Sequence, residues 1–196
     1  VIIAAQEGGG VGVRKFNQID EKVNFIGCDK FLTWGWKSRE KNISKFFLTK
    51  TFYIKKYNYL KNGNVILSGG SCRKYHYSLL AGHIPFYNEK HISLNTNLLK
   101  GLNREVFNNL IYRFHNQIGY NEKERILNEF PKIKISLRED VTHYYDLLYK
   151  SRLIISTSDY TANLQPLTIN HPVIWLWDPK YFNLRDSAKK YYQKMS

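Results

Sequence analysis

The sequence predicts an α/β protein in which crossover helices connect the strands of a Rossmann-like parallel sheet. Short apolar runs recur near positions 65, 111, 134, 154 and 175, and runs of this kind are typical of strands buried on both faces. Helical patterns lie between most of them, which is the alternation expected of parallel strands. Small or hydroxyl-bearing residues follow several of the runs, at the sheet edge where α/β proteins bind ligands.

Each element can be assigned in chain order. An apolar strand at 1–5 precedes a glycine-rich turn, and 29–36 is a second apolar and aromatic segment. The later strands are predicted at 65–67, 110–114, 133–136, 153–155 and 173–177. Helices are predicted at 93–108, at 121–130, from 140, at 162–170 and from about 183. Asn121 and Glu124 have the spacing of a capping box, so the helix at 121–130 is expected to begin there.

Length and composition restrict the class of protein. A chain of 196 residues is enough for one domain, or for one domain and part of another. Hydrophobic content of 43% argues for a packed globule. The chain starts on a strand without an initiator methionine, so we expect it to begin within a longer protein. Cys28 and Cys72 lie far apart, so we expect a reduced, cytoplasmic protein. The sequence has no cluster of cysteines and histidines, so we expect no bound metal. We also expect no cofactor.

The net charge of +14 indicates an anionic partner, such as nucleotide phosphates, nucleic acid or a membrane surface. The basic residues are spread along the chain and no nucleic-acid recognition motif is present, so nucleic acid is disfavoured. A solvated basic surface is the simpler alternative. Basic residues together with exposed aromatic residues would also suit peripheral contact with an anionic membrane.

The hydroxyl-rich turn between the predicted strand at 153–155 and the next helix is the first candidate site. It carries Ser156, Thr157, Ser158 and Thr161. Unpaired N–H groups at a helix N-terminus, together with hydroxyls, favour an anion such as a phosphate. The alternative is that the turn only caps the helix.

Three cationic or titratable residues are predicted near the same sheet edge. Arg113 and His115 lie at the end of the strand at 110–114, and Arg73 follows the small-residue turn at 68–71. A cation beside open backbone N–H groups suits a phosphate, although surface loops carry such residues as well.

The glycine-rich turn after the first strand is the second candidate site. It contains Gly8, Gly9, Gly10 and Gly12, and Glu7 is its one carboxylate. Position 13 is valine where a dinucleotide fingerprint needs glycine, so we reject that motif. Glu7 is a candidate general base, and a solvated loop glutamate is the alternative.

Two further segments complete the chain. Trp34 and Trp36 flank Gly35 and are expected to pack in the core, with a sugar-stacking surface as the alternative. Residues 37–63 show no period and are interpreted as a linker or crossing segment, with aromatic residues that should pack it against the protein.

Four stretches resemble the sugar transferases of surface-polysaccharide (O-antigen) gene clusters. They are AAQEGGGVG at 4–12, DKFLTWGW at 29–36, YRFHNQIGYNEKERILNEFP at 112–131 and SRLIISTSDYTANLQPLTINHPVIWLWDP at 151–179. Within them, Glu7 stands where the family has histidine and Gln165 stands where it has glutamate. Pro166 follows inside a short helix, where proline is tolerated in the first turn.

The resemblance implies a GT-B-like architecture of two Rossmann-like lobes with a nucleotide-sugar donor between them. Residues 1–36 would end the N-terminal lobe, 37–63 would cross between lobes, and 64–196 would form the C-terminal nucleotide-sugar-binding domain. It implies metal-independent transfer to a polysaccharide or lipid-linked glycan acceptor, in the cytoplasm or at the inner face of the membrane. Gln165, like the other candidates above, would contact the donor. A polyol-phosphate transferase and a non-catalytic nucleotide- or carbohydrate-binding relative are the alternatives.

Overall fold

The computed structural model describes residues 1–15, 18–52, 54–70, 85–114, 121–137, 144–158, 161–176, 178 and 183–194. Within these ranges the chain forms two parallel sheets, with α-helices between most of the successive strands. The predicted α/β, Rossmann-like class is therefore confirmed. None of the described helices is both long enough and apolar enough to cross a membrane.

The first sheet consists of three parallel strands in chain order: β1 (Ile3–Ala5), β2 (Lys30–Trp34) and β3 (Ile43–Phe46). Helix α1 (Gln18–Ile26) connects β1 to β2. Neither α1 nor β3 was predicted from the sequence. β3 has one buried residue in four, so it shows no apolar run. It lies inside the stretch interpreted as a linker.

The second sheet consists of five parallel strands that follow the predicted apolar runs. They are β4 (Asn64–Ser68), β5 (Leu110–Arg113), β6 (Lys134–Ser136), β7 (Ser151–Ser156) and β8 (Val173–Trp175). Their spatial order is β6-β5-β4-β7-β8. The chain therefore moves outward in one direction from β4 and then in the other, so the topological switch point lies between β4 and β7.

In the part of the chain that the structure describes, six helices accompany this sheet: α2 (Pro85–Gly101), α3 (Arg104–Asn108), α4 (Glu122–Glu129), α5 (Tyr144–Tyr149), α6 (Thr161–Thr168) and α7 (Asp186–Tyr192). The single helix predicted at 93–108 is wrong, because Asn103 ends the continuity and its side chain accepts from the Val106 N–H at 2.8 Å. The capping box is also wrong. Asn121 has a left-handed φ of 49° and makes no side-chain capping bond.

The second sheet is covered on both faces. Val65 and Leu67 pack on one face with Leu99 of α2 and Ile126 of α4. Ile66, between them in sequence, packs on the opposite face with other buried apolar residues, Leu148 and Ile154. This alternation is the period of two of a strand whose neighbours on each side are apolar.

Pro166 lies in the second half of α6, beyond the first turn in which proline is tolerated. Proline has no N–H, so it cannot bond the carbonyl four residues earlier, which belongs to Ala162. The Tyr144 hydroxyl donates to that carbonyl instead. Burial raises the pKa of Tyr144, which keeps the hydroxyl protonated and able to donate. The proline is tolerated because α5 supplies the missing donor.

The stretch between the two sheets is bonded to the second sheet, as its aromatic residues indicated. The Tyr57 hydroxyl donates to the Ser151 carbonyl at 2.6 Å and is buried. From α5, the Tyr145 hydroxyl donates to the Lys50 carbonyl at 2.9 Å, and Tyr149 donates to Lys55 at 2.8 Å. A short 3-10 helix at Thr49–Thr51 lies within this stretch.

Candidate functional site

A cleft of about 660 Å³ lies at the carboxyl ends of the first sheet's strands. The glycine-rich turn after β1 and the tryptophan segment after β2 form one side of it. Leu164 of α6 and several residues of α7, both exposed and buried, form the other side. Because α6 and α7 follow β7 and β8, the cleft brings the loops of both sheets together.

Gln6 fixes the first side of the cleft. Its carboxamide oxygen accepts from the Trp34 backbone N–H at 2.9 Å and from the Trp36 indole N–H at 2.8 Å. Its nitrogen donates to the Gly8 carbonyl at 2.8 Å. One buried side chain therefore sets the position of the glycine-rich turn relative to both tryptophans. Gln6 was not predicted as a site residue, although it lies in the stretch at 4–12 that carries the family resemblance.

Gly12 is required by the packing of Trp36. Its φ is +78°, a conformation that favours glycine. A Cβ atom at this position would lie 2.6 Å from the Trp36 ring. The Trp36 indole therefore packs directly on the backbone of the glycine-rich turn. This contact holds one edge of the indole toward the cleft.

A buried ion pair joins the glycine-rich turn to α7. Glu21 of α1 accepts from the Gly12 N–H at 2.7 Å and from the Arg185 guanidinium at 2.5 Å. Arg185 also donates through Nε to the Arg14 carbonyl at 3.1 Å and through its backbone N–H to Val13 at 2.8 Å. These contacts join the glycine-rich turn to the start of α7.

The cleft is basic and aromatic. Its cations are Lys37, Lys45, Arg185 and Lys190, and no aspartate or glutamate is among its described lining residues. Trp34, Trp36, Tyr191 and Tyr192 supply its aromatic surface. The Trp34 indole N–H is buried and has no hydrogen-bond partner among the described residues. Such a surface favours a ligand that carries both negative charge and a ring.

The hydroxyl-rich turn lies at the switch point between β4 and β7, but its side chains are buried. Ser156, Thr157 and Ser158 are at most 1% exposed. The Ser156 hydroxyl donates to the Ser158 carbonyl at 3.0 Å, and the Thr157 hydroxyl donates to the Ser68 carbonyl at 3.3 Å. His91 Nε2 lies 3.0 Å from the Thr157 hydroxyl. These bonds hold the backbone, so phosphate contact by the three residues stays a prediction.

The hydroxyl-rich turn supports a residue that lines the cleft. The Ser158 carbonyl accepts from the Trp175 indole N–H at 2.8 Å. The Trp175 ring lies 4.7 Å from the Tyr192 ring, and Tyr192 lines the cleft. The hydroxyl-rich turn therefore positions part of the cleft wall without lining it.

Other predicted donor-binding residues also lie outside the cleft lining. Arg113 donates to the Ser136 hydroxyl at 2.7 Å and stands 5.1 Å from the Tyr144 ring centre. Gln165 donates to the Tyr145 hydroxyl at 2.8 Å. Thr161 is half-buried at the first position of α6. His115 and Arg73 lie outside the described residues.

Only some residues of the predicted glycine-rich site line the cleft. Gly9 and Gly12 line it, whereas Gly8 and Gly10 do not. Glu7 is exposed and is not a lining residue. Across the described residues, no three of the histidines, cysteines, aspartates and glutamates group so as to hold a metal ion.

Glu122 is a buried titratable group that was not predicted from the sequence. It lies near the start of the turn that follows β4. The Tyr112 hydroxyl donates to buried Glu122 at 2.6 Å, and Asn95 donates to the Tyr112 oxygen at 2.7 Å. Burial raises the pKa of Glu122 to about 7. A Cβ at Gly69 would lie 3.0 Å from the Tyr112 oxygen, so this network supports the start of that turn.

The strand order of the second sheet is doubly wound, so the fold is of the Rossmann-like α/β class. A family model described as LIC12162 family transferase matches residues 1–196. The chain therefore belongs to this family of transferases. Searches of curated proteins and of solved structures found no match. The expected transferase class is confirmed at this level.

Proposed function

We propose that the chain transfers a sugar from a nucleotide-sugar donor to a cell-surface polysaccharide acceptor. The family supports group transfer. The observation that carries the proposal is the cleft, which combines cations and aromatic rings without a carboxylate among its described lining residues. A nucleotide-sugar has the matching chemistry, since it joins a ring system to negatively charged phosphates.

The phosphates are expected to lie near the lysines of the cleft. Arg185 already pairs with Glu21, so its charge is largely balanced. Lys37 and Lys190 bring positive charge from opposite sides, one after β2 and the other on α7. A lysine ammonium binds phosphate as a compact point charge without demanding one planar geometry.

The ring system is expected to lie against the tryptophan segment. Trp36 is held by Gln6 and Gly12, so its position is fixed before any ligand binds. The unpartnered Trp34 N–H offers a donor to a hydroxyl or carbonyl. Ligand pockets of about 300–1,000 Å³ hold ligands of this size, and the cleft volume of about 660 Å³ is within that range.

Calorimetric titration of the longest available chain with CMP, UDP, GDP and their sugar conjugates tests this site. Lys190→Gln is expected to weaken binding of the preferred nucleotide about tenfold, because one charge-assisted contact is worth roughly 1.5 kcal/mol. Lys134→Gln is the matched control, because Lys134 is exposed on β6 and lies outside the cleft lining. This variant should bind the nucleotide as the wild-type protein does.

Thr161→Ala and Arg113→Ala separate this cleft from the site predicted at the hydroxyl-rich turn. If they weaken nucleotide binding while Lys190→Gln does not, the donor lies at the switch point and the cleft proposal is wrong. If a nucleotide-activated polyol binds and no nucleotide-sugar does, the polyol-phosphate alternative is favoured.

Glu7 is proposed as the general base, since it follows Gln6 directly at the edge of the glycine-rich turn. Glu7→Gln is expected to lower turnover with the preferred donor at least about a hundredfold, as general-base removal typically does, while leaving the dissociation constant unchanged. Steady-state kinetics and calorimetry on the same preparation measure both values. Unchanged turnover would remove Glu7 from the mechanism. If no donor turns over although one binds, the non-catalytic alternative is favoured.

A further inference from the structure

Three exposed phenylalanines form one apolar surface, which we call the Phe47 patch. Phe46, Phe47 and Phe52 are 41%, 46% and 66% exposed. The Phe47 ring centre lies 4.4 Å from that of Phe46 and 5.9 Å from that of Phe52. Single exposed apolar residues are ordinary, but contiguous apolar patches mark interaction surfaces.

The patch is held by structured backbone. Phe46 ends β3, the edge strand of the first sheet, and the 3-10 helix at Thr49–Thr51 separates Phe47 from Phe52. Leu48 is buried between them in sequence, and its carbonyl accepts from the Thr51 hydroxyl at 2.7 Å. Tyr145 bonds the Lys50 carbonyl from α5. The rings are therefore presented on a fixed support.

The sequence around the patch is strongly basic. Six lysines lie between positions 41 and 61, and no aspartate or glutamate occurs from 41 to 88; the lysines are Lys41, Lys45, Lys50, Lys55, Lys56 and Lys61. All six are exposed. Helix α5, against which this stretch packs, adds one exposed carboxylate, Asp146. The patch is therefore an apolar surface within a field of positive charge.

We propose that the Phe47 patch docks on the surface of an anionic phospholipid bilayer. The phenylalanine rings enter the interfacial region, and the surrounding lysines lie among the headgroups. A basic cluster next to an apolar surface gains both apolar burial and about 1 kcal/mol per lysine from anionic lipid. This docking is independent of which group the enzyme transfers.

The ring geometry favours a bilayer over a single-stranded nucleic acid. Bases need separate aromatic faces on which to stack. The Phe47 ring contacts both of its neighbours, so the three rings present one joint apolar surface. The cations of the stretch from 41 to 61 are all lysines, which suit diffuse headgroup charge better than planar, paired recognition.

Flotation of the longest available chain with phosphatidylglycerol–phosphatidylcholine vesicles tests the proposal. The protein is expected to float with mixed vesicles and to remain in solution with pure phosphatidylcholine. Lys50→Gln with Lys55→Gln should weaken binding roughly 25-fold, since each lysine near the surface contributes about fivefold. Lys132→Gln with Lys134→Gln is the matched control, because both residues are exposed at the β6 edge of the second sheet.

The apolar half of the proposal is tested by Phe47→Ser with Phe52→Ser. Both residues are exposed, so the thermal midpoint should stay near that of wild type while vesicle binding falls at least tenfold. Equal flotation of this variant and wild type would overturn the proposal. An equal loss of vesicle binding in the Lys132→Gln with Lys134→Gln control would also overturn the proposal. So would equal binding of the wild-type protein to neutral vesicles, or a finding that the patch instead mediates dimerisation or RNA binding.

Discussion

Replacing Arg185 with alanine is expected to lower the free energy of unfolding by about 3 kcal/mol, because removing one partner of a buried ion pair leaves an unpaired charge. Glu21 is 3% exposed, and among the described residues it would keep the Gly12 N–H as its remaining donor. The Arg185 side chain is 26% exposed, so solvent screening places the effect at the low end of the range for buried pairs. Urea denaturation of the two proteins at the same pH measures the difference.

The double variant Arg185→Ala with Glu21→Gln separates the ion pair from the packing of the arginine. Removing the charge of Glu21 should restore part of the lost stability, so the double variant should be more stable than the sum of the two single losses implies. Arg185→Lys keeps the charge but loses the donor to Arg14, and is expected to be intermediate. Strictly additive losses would show that the pair contributes nothing of its own.

The stability of the protein is expected to fall as the pH rises from about 4.5 to about 7. Burial raises the pKa of Glu122 to about 7 in the folded protein, against 4.5 for an ordinary glutamate. Between these values the folded state binds more protons than the unfolded state, so raising the pH favours unfolding. The full effect is on the order of 3 kcal/mol, at about 1.4 kcal/mol for each pKa unit.

Glu122→Gln removes this titration and should abolish that part of the pH slope in chemical denaturation between pH 4.5 and 7. The amide still accepts from the Tyr112 hydroxyl, so the variant should exceed wild type in stability at pH 8. Glu124→Gln on the same helix is the matched control, because Glu124 is exposed. The assignment fails if Glu122→Gln keeps the wild-type slope or if Glu124→Gln loses it equally.

The second sheet could be predicted from sequence because its strands are buried on both faces. Residues such as Ile66 and Ile154 give unbroken apolar runs that are visible without knowing their partners. β3 could not be found in this way, since Lys45 and Phe46 are exposed. The break after α2 depends on a capping bond by Asn103, and helix patterns locate such ends poorly.

The candidate site was predictable only in part. The glycine-rich turn was predicted as a candidate site, and the tryptophan segment was predicted to pack in the core with a sugar-stacking surface as the alternative; residues of both line the cleft. The hydroxyl-rich turn was interpreted either as a helix cap or as an anion site, because a sequence does not say whether Ser156 faces solvent or a backbone carbonyl. α7 was predicted as a helix, but nothing local indicates that Arg185 pairs with Glu21, 164 positions earlier.

The same long separation affects how the cleft forms during synthesis. Arg185 meets the Arg14 carbonyl across 171 positions, so the glycine-rich turn leaves the ribosome long before its partner exists. At about 5–20 residues per second the delay is roughly 10–30 s. Throughout that interval Glu21 has no arginine beside it and can remain hydrated. The second sheet can therefore assemble first, and the two walls of the cleft join only as residues 183–185 emerge.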